Sequence, residues 1–172
     1  MDKEIFNNLI ISFKRIFKEE EALLNYISYY KSLIGWIKEH LNFFSTEQLE
    51  NSRLNVLMDL DPDRYVITNP ELLLEKENKR IGERDFGTID DLLMSISDTL
   101  WDLVTIRSGK DCPNCIYDEL RYVVAKDKDT HELLLECETC GWTEHTNGDQ
   151  WNEGLVNIIP ARLDEIKSVL DK

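Results

Sequence analysis

The cysteines constrain this chain most. All four fall in two short stretches, CPNC (Cys112 and Cys115) and CETCGW (Cys137 and Cys140), giving the spacing C-x2-C-x21-C-x2-C. Two cysteines separated by two residues can wrap their thiolates around one ion from a tight knuckle. The intervening stretch is the right length for a β-hairpin that brings both knuckles together. Four thiolates close a tetrahedron around Zn²⁺, and a closed tetrahedron is a structural site, because no coordination position is left for substrate. Two other uses of the cysteines compete. A pair of disulfides is disfavoured without a secretion signal, and a redox-active CxxC needs only one of the two pairs.

The flanks agree with the metal reading. Pro113 stiffens the first knuckle, and Gly141 follows the last cysteine, where a knuckle often needs a residue that tolerates positive φ. Leu120–Ala125 and Glu132–Glu136 lean towards strand around the polar turn KDKDTH, and Trp142–Thr146 can add a third short strand. The segment from Cys112 to Trp142 thus resembles a zinc ribbon. The resemblance implies a three-stranded sheet carrying two knuckles, with Cys112, Cys115, Cys137 and Cys140 as ligands of a structural Zn²⁺. Ribbons serve many functions, so it implies no activity. About forty residues bury little core, so the metal would supply folding energy directly.

Ahead of the ribbon the pattern is helical. Ile5, Leu9, Phe13 and Ile16 keep three- and four-residue spacing, and a second stripe runs from Leu23 and Leu24 through Ile27, Tyr30, Ile34 and Ile37 to Leu41. Ser45 to Gln48, STEQ, reads as a capping box opening a helix with Leu49, Leu54, Leu57 and Met58. Asn69, Pro70 and Glu71 read as the start of a short helix, ELLLEKENKR. Thr88 can cap a long helix, IDDLLMSISDTLWDLVTIR, that stops before Gly109. Pro160 opens a last amphipathic helix with Leu163, Ile166, Val169 and Leu170. The expected fold is therefore α+β: a mainly helical domain over 1–108, a β zinc ribbon over 109–150, and a segment over 151–172 whose helix packs back on the helical domain.

Charge bounds the function. Lys and Arg number 20 against 34 Asp and Glu, a net −14. A chain so acidic repels phosphate backbones and attracts basic surfaces. The ribbon shares the bias: from Asp111 to His145 three basic residues face nine acidic ones. Phosphate neutralisation supplies most non-specific nucleic-acid affinity, so this module starts at a deficit. The chain has no apolar run of the ~20 residues a membrane span needs, and its first residues lack the cleavage site of a secretory signal. The expectation is a cytoplasmic protein of bacterial type.

No catalytic motif stands out. The seven glycines are dispersed, and His40, His131 and His145 are scattered. The run DLDPD, Asp59 to Asp63, starts like a calcium loop, but Arg64 and Pro70 occupy the positions that need Gly and Glu. KENKR, Lys76 to Arg80, reads as a solvated helix end or an anion site. Trp142 and Trp151 bracket TEHTNGDQ, either anchoring the ribbon on the helices or forming a ligand box.

In size, charge and lack of catalytic signature the chain is similar to bacterial immunity proteins and antitoxins. That likeness implies a non-catalytic, stoichiometric inhibitor of a basic partner such as a nuclease toxin. Asp59, Asp61, Asp63, Asp127, Asp129 and Glu132 are the candidate partner-binding residues, chosen by charge density. The alternative is a zinc-ribbon accessory factor acting on nucleic acid or the transcription machinery.

Overall fold

The computed structural model describes residues 3–17, 25–67, 74–127, 130–151 and 157–170. The fold is α+β, with eight α-helices and a five-stranded antiparallel sheet among these residues. The chain divides into two compact units, one ending at Leu103 and the other beginning at Val104. None of the described helices is long and apolar enough to cross a membrane. The cap at Asn69–Glu71, the residues Leu23 and Leu24, and Asp129 lie outside the described residues.

In the first unit, α1 (Lys3–Ile16) carries Phe13, which is fully buried. Its ring meets Phe17 edge-on at 5.1 Å, Trp36 at 5.0 Å and Phe86 at 5.9 Å. Edge-to-face geometry at these separations lets the ring edges meet the π-faces. Trp36 belongs to α2 (Tyr26–Glu39), opened by Asn25, whose side chain accepts from Ser28 N–H. The predicted capping box is present: Ser45 Oγ accepts from Gln48 N–H, and Gln48 Oε1 from Ser45 N–H. The helix it opens is broken, however, into α3 (Thr46–Asn51) and α4 (Leu54–Leu57). Arg53 takes φ 57° at the break and lays its guanidinium over Trp101 at 5.9 Å. The acidic loop contains one turn of helix, α5 (Pro62–Tyr65), with Pro62 at its first position.

The run expected to be a solvated helix end keeps its cations Lys76, Lys79 and Arg80 exposed while burying the polar residues between them. In α6 (Leu74–Glu83), Glu77, Asn78 and Ile81 are buried. Glu77 is held by Arg80 from its own helix and by Thr99 Oγ1 at 3.0 Å from α7 (Ile89–Val104). Arg84, just past the helix, donates to Ser95 Oγ at 2.6 Å and pairs with Asp91. Arg84 thus gives the acidic α7, which carries Asp90, Asp91, Asp98 and Asp102 and no Lys or Arg, one cation from outside the helix. Burial and the Glu77 charge also push the Tyr29 hydroxyl up from its ordinary pKa.

Helix α7 ends at Val104, short of the expected stop before Gly109, because the chain turns to strand at Ile106. Strand β1 (Ile106–Asp111) pairs with β2 (Glu119–Asp127), with a register shift between Arg107 and Asp111. Gly109 takes φ 77° inside that shift, where glycine meets no Cβ penalty. The nine residues of β2 present one edge to β1 through Tyr122, Arg121 and Glu119, and further along the same edge to β5 (Ile158–Pro160). The other edge takes β3 (Thr130–Glu136), which pairs in turn with β4 (Thr143–His145).

Alternation sorts the strands onto two faces. Val124 and Leu133 on one face form a cluster with Ala161 and Ile166, the latter from α8 (Leu163–Leu170). On the opposite face Val123, Ala125 and Leu134 pack with Trp151 and Ile158. The division between the units falls at 103/104, where the sequence placed it after 108, and Ile166 of α8 finds apolar partners on the sheet.

Candidate metal centre

The first knuckle leaves the end of β1. Cys112 N–H donates to the carbonyl of Asp118 at 2.8 Å, and Ile116 N–H returns to the carbonyl of Cys112 at 3.1 Å. The second knuckle repeats this plan between β3 and β4. Cys137 N–H donates to Trp142 O at 2.8 Å and Gly141 N–H to Cys137 O at 2.9 Å. In both, the residue after the second cysteine has a left-handed backbone: Ile116 at φ 55° and Gly141 at φ 71°. The glycine was legible as such. A β-branched residue in the equivalent place gives no sequence signal, and its side chain is 77% exposed.

The two knuckles bring all four Sγ atoms within 4.8 Å of one another. Two approaches between the knuckles, Cys112 to Cys140 and Cys115 to Cys137, are both 3.6 Å. A disulfide needs sulfurs about 2.0 Å apart. A tetrahedral ion with metal–sulfur bonds near 2.3 Å puts ligand sulfurs about 3.8 Å apart. The donor set and its spacing fit a four-thiolate metal ion. Cys112 and Cys137 are fully buried in a cluster with Leu120 and Leu135, against which Tyr122 and Trp142 pack. Cys115 is half-buried and Cys140 exposed, so the centre lies at the rim of the sheet.

Environment divides the thiols. Burial pushes Cys137 up to about 12. Asn114 Nδ2, donating to Cys140 Sγ at 3.4 Å, and the Trp142 amide draw Cys140 down to about 6. Asp118 braces the knuckles against each other. It accepts from Thr139 Oγ1 in the second knuckle at 3.1 Å, from Glu119 N–H at 2.8 Å and from Arg107 at 3.1 Å. Partial burial acts to raise its pKa, but those three donors outweigh burial and hold the carboxyl below its ordinary range. Arg121, 3% exposed at its side chain, bridges Glu136 at 2.8 Å and Glu138 at 3.0 Å, the residues on either side of Cys137. Neither Asp118 nor Arg121 stood out in the sequence; a register assignment placing Arg121 opposite Glu136 would have found the second.

The remaining candidates are placed less tightly. His145 does not join the thiolates: its Nδ1 lies 2.7 Å from Glu132 Oε1 and its ring 5.1 Å from Trp151. His40 stacks on Trp36 at 4.7 Å, with Nδ1 2.8 Å from the Trp36 carbonyl. Asp59, Asp61 and Asp63 are exposed in the first unit, where Asp61 caps α5 and Asp63 pairs with Lys31 at 3.2 Å. Asp127 ends β2, and Glu132 is half-buried on β3, in the second unit. Asp59, Asp61 and Asp63 thus belong to the first unit and Asp127 and Glu132 to the second, and the four cysteines converge on one point. Trp142 packs on the cluster of Cys112, Leu120, Leu135 and Cys137, and Trp151 on that of Val123, Ala125 and Leu134. No protein-family model matches the chain, and neither a curated protein nor a solved structure matches it.

Proposed function

We propose that Cys112, Cys115, Cys137 and Cys140 hold a structural Zn²⁺, and that the chain is a non-catalytic acidic protein that docks on a basic partner. In the closest form of this reading it is a stoichiometric inhibitor of a nuclease toxin. The ion would supply folding energy to a sheet with small apolar clusters and, with four thiolates around it, no open coordination position.

The observation that carries the docking is where the cations go. Of 20 basic residues, Lys14, Lys31, Arg80, Arg84, Arg107, Lys110, Arg121 and Arg162 are ion-paired to carboxylates of the same chain. Of the candidate anion run Lys76 to Arg80, Arg80 is among them. What the chain offers outward is the surplus of its net −14. Carboxylates in that excess can occupy the positions phosphates take on a nuclease and accelerate encounter.

Co-expression with the basic product of an adjacent gene tests this. A one-to-one complex that suppresses the partner's nuclease activity is the expected result. Binding of labelled DNA or RNA that persists at about 150 mM salt would overturn it in favour of the nucleic-acid reading. Metal analysis of the purified chain should return one zinc per molecule.

A further inference from the structure

Of the large apolar side chains among the described residues, the two most exposed are neighbours at the tip of the first knuckle: Ile116 at 77% and Tyr117 at 86%. Ile116 also carries backbone strain. It sits at φ 55° in the position that Gly141 fills at φ 71° in the second knuckle, and its N–H closes the same turn onto Cys112 O at 3.1 Å. A β-branched residue in a left-handed backbone is strained, and at this exposure no burial offsets the strain. Glycine suffices for the turn, as the second knuckle shows. What isoleucine adds is a side chain presented to the outside.

The tip is held on both sides. Cys115, one of the four converging thiols, precedes it. Asp118 follows it, accepting at its carboxylate from Thr139 Oγ1, Glu119 N–H and Arg107, and at its carbonyl from Cys112 N–H at 2.8 Å. An apolar pair on a braced turn has little freedom left to lose on binding. Tyrosine is also among the residues that dominate interface energetics when seated in a pocket.

At the base of the same knuckle, strand pairing sets Asp111 directly opposite Glu119. Like charges so placed destabilise a sheet. The cations of β1 are engaged elsewhere, Arg107 with Asp118 and Lys110 with Glu144. Glu119 is fixed in place by Gly109 N–H, which donates to its Oε1. A strained isoleucine and an opposed carboxylate pair thus flank one turn, and a surface that offers an apolar pocket with a cation at its border offsets both.

Charge chooses among the occupants. A nucleobase stacked on Tyr117 would bring phosphates towards Asp111 and Glu119. A second copy of the chain would bring its own net −14. A basic protein is attracted. We infer that the first knuckle is the anchor on which this chain seats its basic partner: Ile116 and Tyr117 fill an apolar pocket, and a cation at the pocket's border bridges Asp111 and Glu119. The inference rests on the docking reading above and names the surface that binds.

The test uses the full zinc-loaded chain and the basic product of the adjacent gene, purified separately and recombined, with both rate constants read by surface plasmon resonance. Tyr117→Ala should speed dissociation at least about 30-fold, the mark of an anchor residue, and leave association unchanged because no charge is altered. One zinc per chain and an unmoved urea midpoint show that this exposed truncation leaves the fold intact. Ile116→Gly and Asp111→Asn should each weaken the complex about tenfold while the free chain becomes no less stable, since each relieves an internal cost. A purely structural role would not move binding and stability in opposite directions. A parent complex that is equally tight with Tyr117→Ala and Ile116→Gly overturns the knuckle anchor and leaves acidic docking standing. Absence of a complex with the parent chain overturns both. Self-association of the parent chain in sedimentation, or its binding of a single-stranded thymidine oligonucleotide, lost in Tyr117→Ala, assigns the tip to a second copy or to nucleic acid and overturns the inference.

Discussion

Replacing Arg121 with methionine isolates the buried ion pair beside the metal centre. Arg121 lies directly opposite Glu136 in the β2–β3 register, and its side chain is 3% exposed against 10% for Glu136. The third member, Glu138, is 49% exposed and can return to water when the arginine is lost. Glu136 cannot do so without leaving the sheet. The variant therefore either keeps a buried carboxylate with no cation or protonates it. Protonating an ordinary glutamate at pH 7 costs about 3.7 kcal/mol, which caps the penalty from this source. Removing one partner of a buried pair usually costs about 3–5 kcal/mol, so the expected loss is about 3 kcal/mol.

The double variant Arg121→Met, Glu136→Leu separates this cause from lost packing. With both charges gone, the desolvation of two ions is removed along with their attraction, and such replacements are often neutral or stabilising. The double variant should therefore return to within about 1 kcal/mol of the parent chain, a recovery of about 2–3 kcal/mol over the single variant. Urea unfolding followed by the circular dichroism of the sheet measures both, at one fixed free zinc concentration, because bound metal adds stability by mass action. A single variant that loses less than about 1 kcal/mol, or a double variant as unstable as the single, would refute the reasoning.

Other consequences concern the knuckles. Ile116→Gly relieves a left-handed β-branched residue that is 77% exposed, so little burial is lost. The strain relieved is about 1–2 kcal/mol and the added chain entropy about 0.4–1, for a net gain of up to about 1 kcal/mol in thermal or urea unfolding. Gly141→Ala does the reverse: no atom lies within 4 Å of the new Cβ, so only the φ of 71° resists it. A cost of about 1–2 kcal/mol should appear as roughly a tenfold drop in zinc affinity by chelator competition. Asp118→Ala removes the brace to Thr139 and should weaken zinc about 10–100-fold while leaving all four cysteines in place. Chelation of the metal should abolish the fluorescence and sheet signals of the second unit, while helical circular dichroism, which arises mainly from the first unit, is retained.

How far the sequence could be read depends on how local the determining interaction is. Periodicity located α1, α2 and α7 because each stripe is written within its own helix. The Ser45–Gln48 box was readable because both hydrogen bonds span three residues. The cysteine spacing worked for a related reason: a knuckle is a local turn, and only the hairpin between the pairs had to be inferred. What failed was non-local. KENKR does read as a solvated end for its cations, which are exposed, but nothing in the run announces that Glu77 turns inward to meet Thr99 of α7. Strand β1 was hidden in the tail of α7 because RSGKD has no apolar alternation, and its pairing with Arg121 and Tyr122 decides its state. Likewise β5 is too short to show a period, and it is held only by the second half of β2.

The same distinction separates the two halves of the candidate site. Four cysteines in two local turns fix a metal position from spacing alone, and they fix little else, since a closed centre contributes stability rather than chemistry. Recognition needs groups that diverge in sequence and converge in space. Asp59, Asp61 and Asp63 were selected for being adjacent along the chain, yet two of the three already serve local ends, Asp61 as a cap and Asp63 as the partner of Lys31. Asn114 and Cys140 are 26 residues apart in the chain, and the meeting of the two knuckles is what brings them into contact. For an acidic protein the net charge sets how fast partners arrive, but it is spread over both units and cannot select among basic proteins. Selection needs a place where one cation loses its water and gains directed contacts, and such a place has to be walled by groups that do not move. The one place where the two knuckles present such groups together is at Asn114 and Cys140, whose amide-to-sulfur contact ties the surface there to the geometry of the four cysteines.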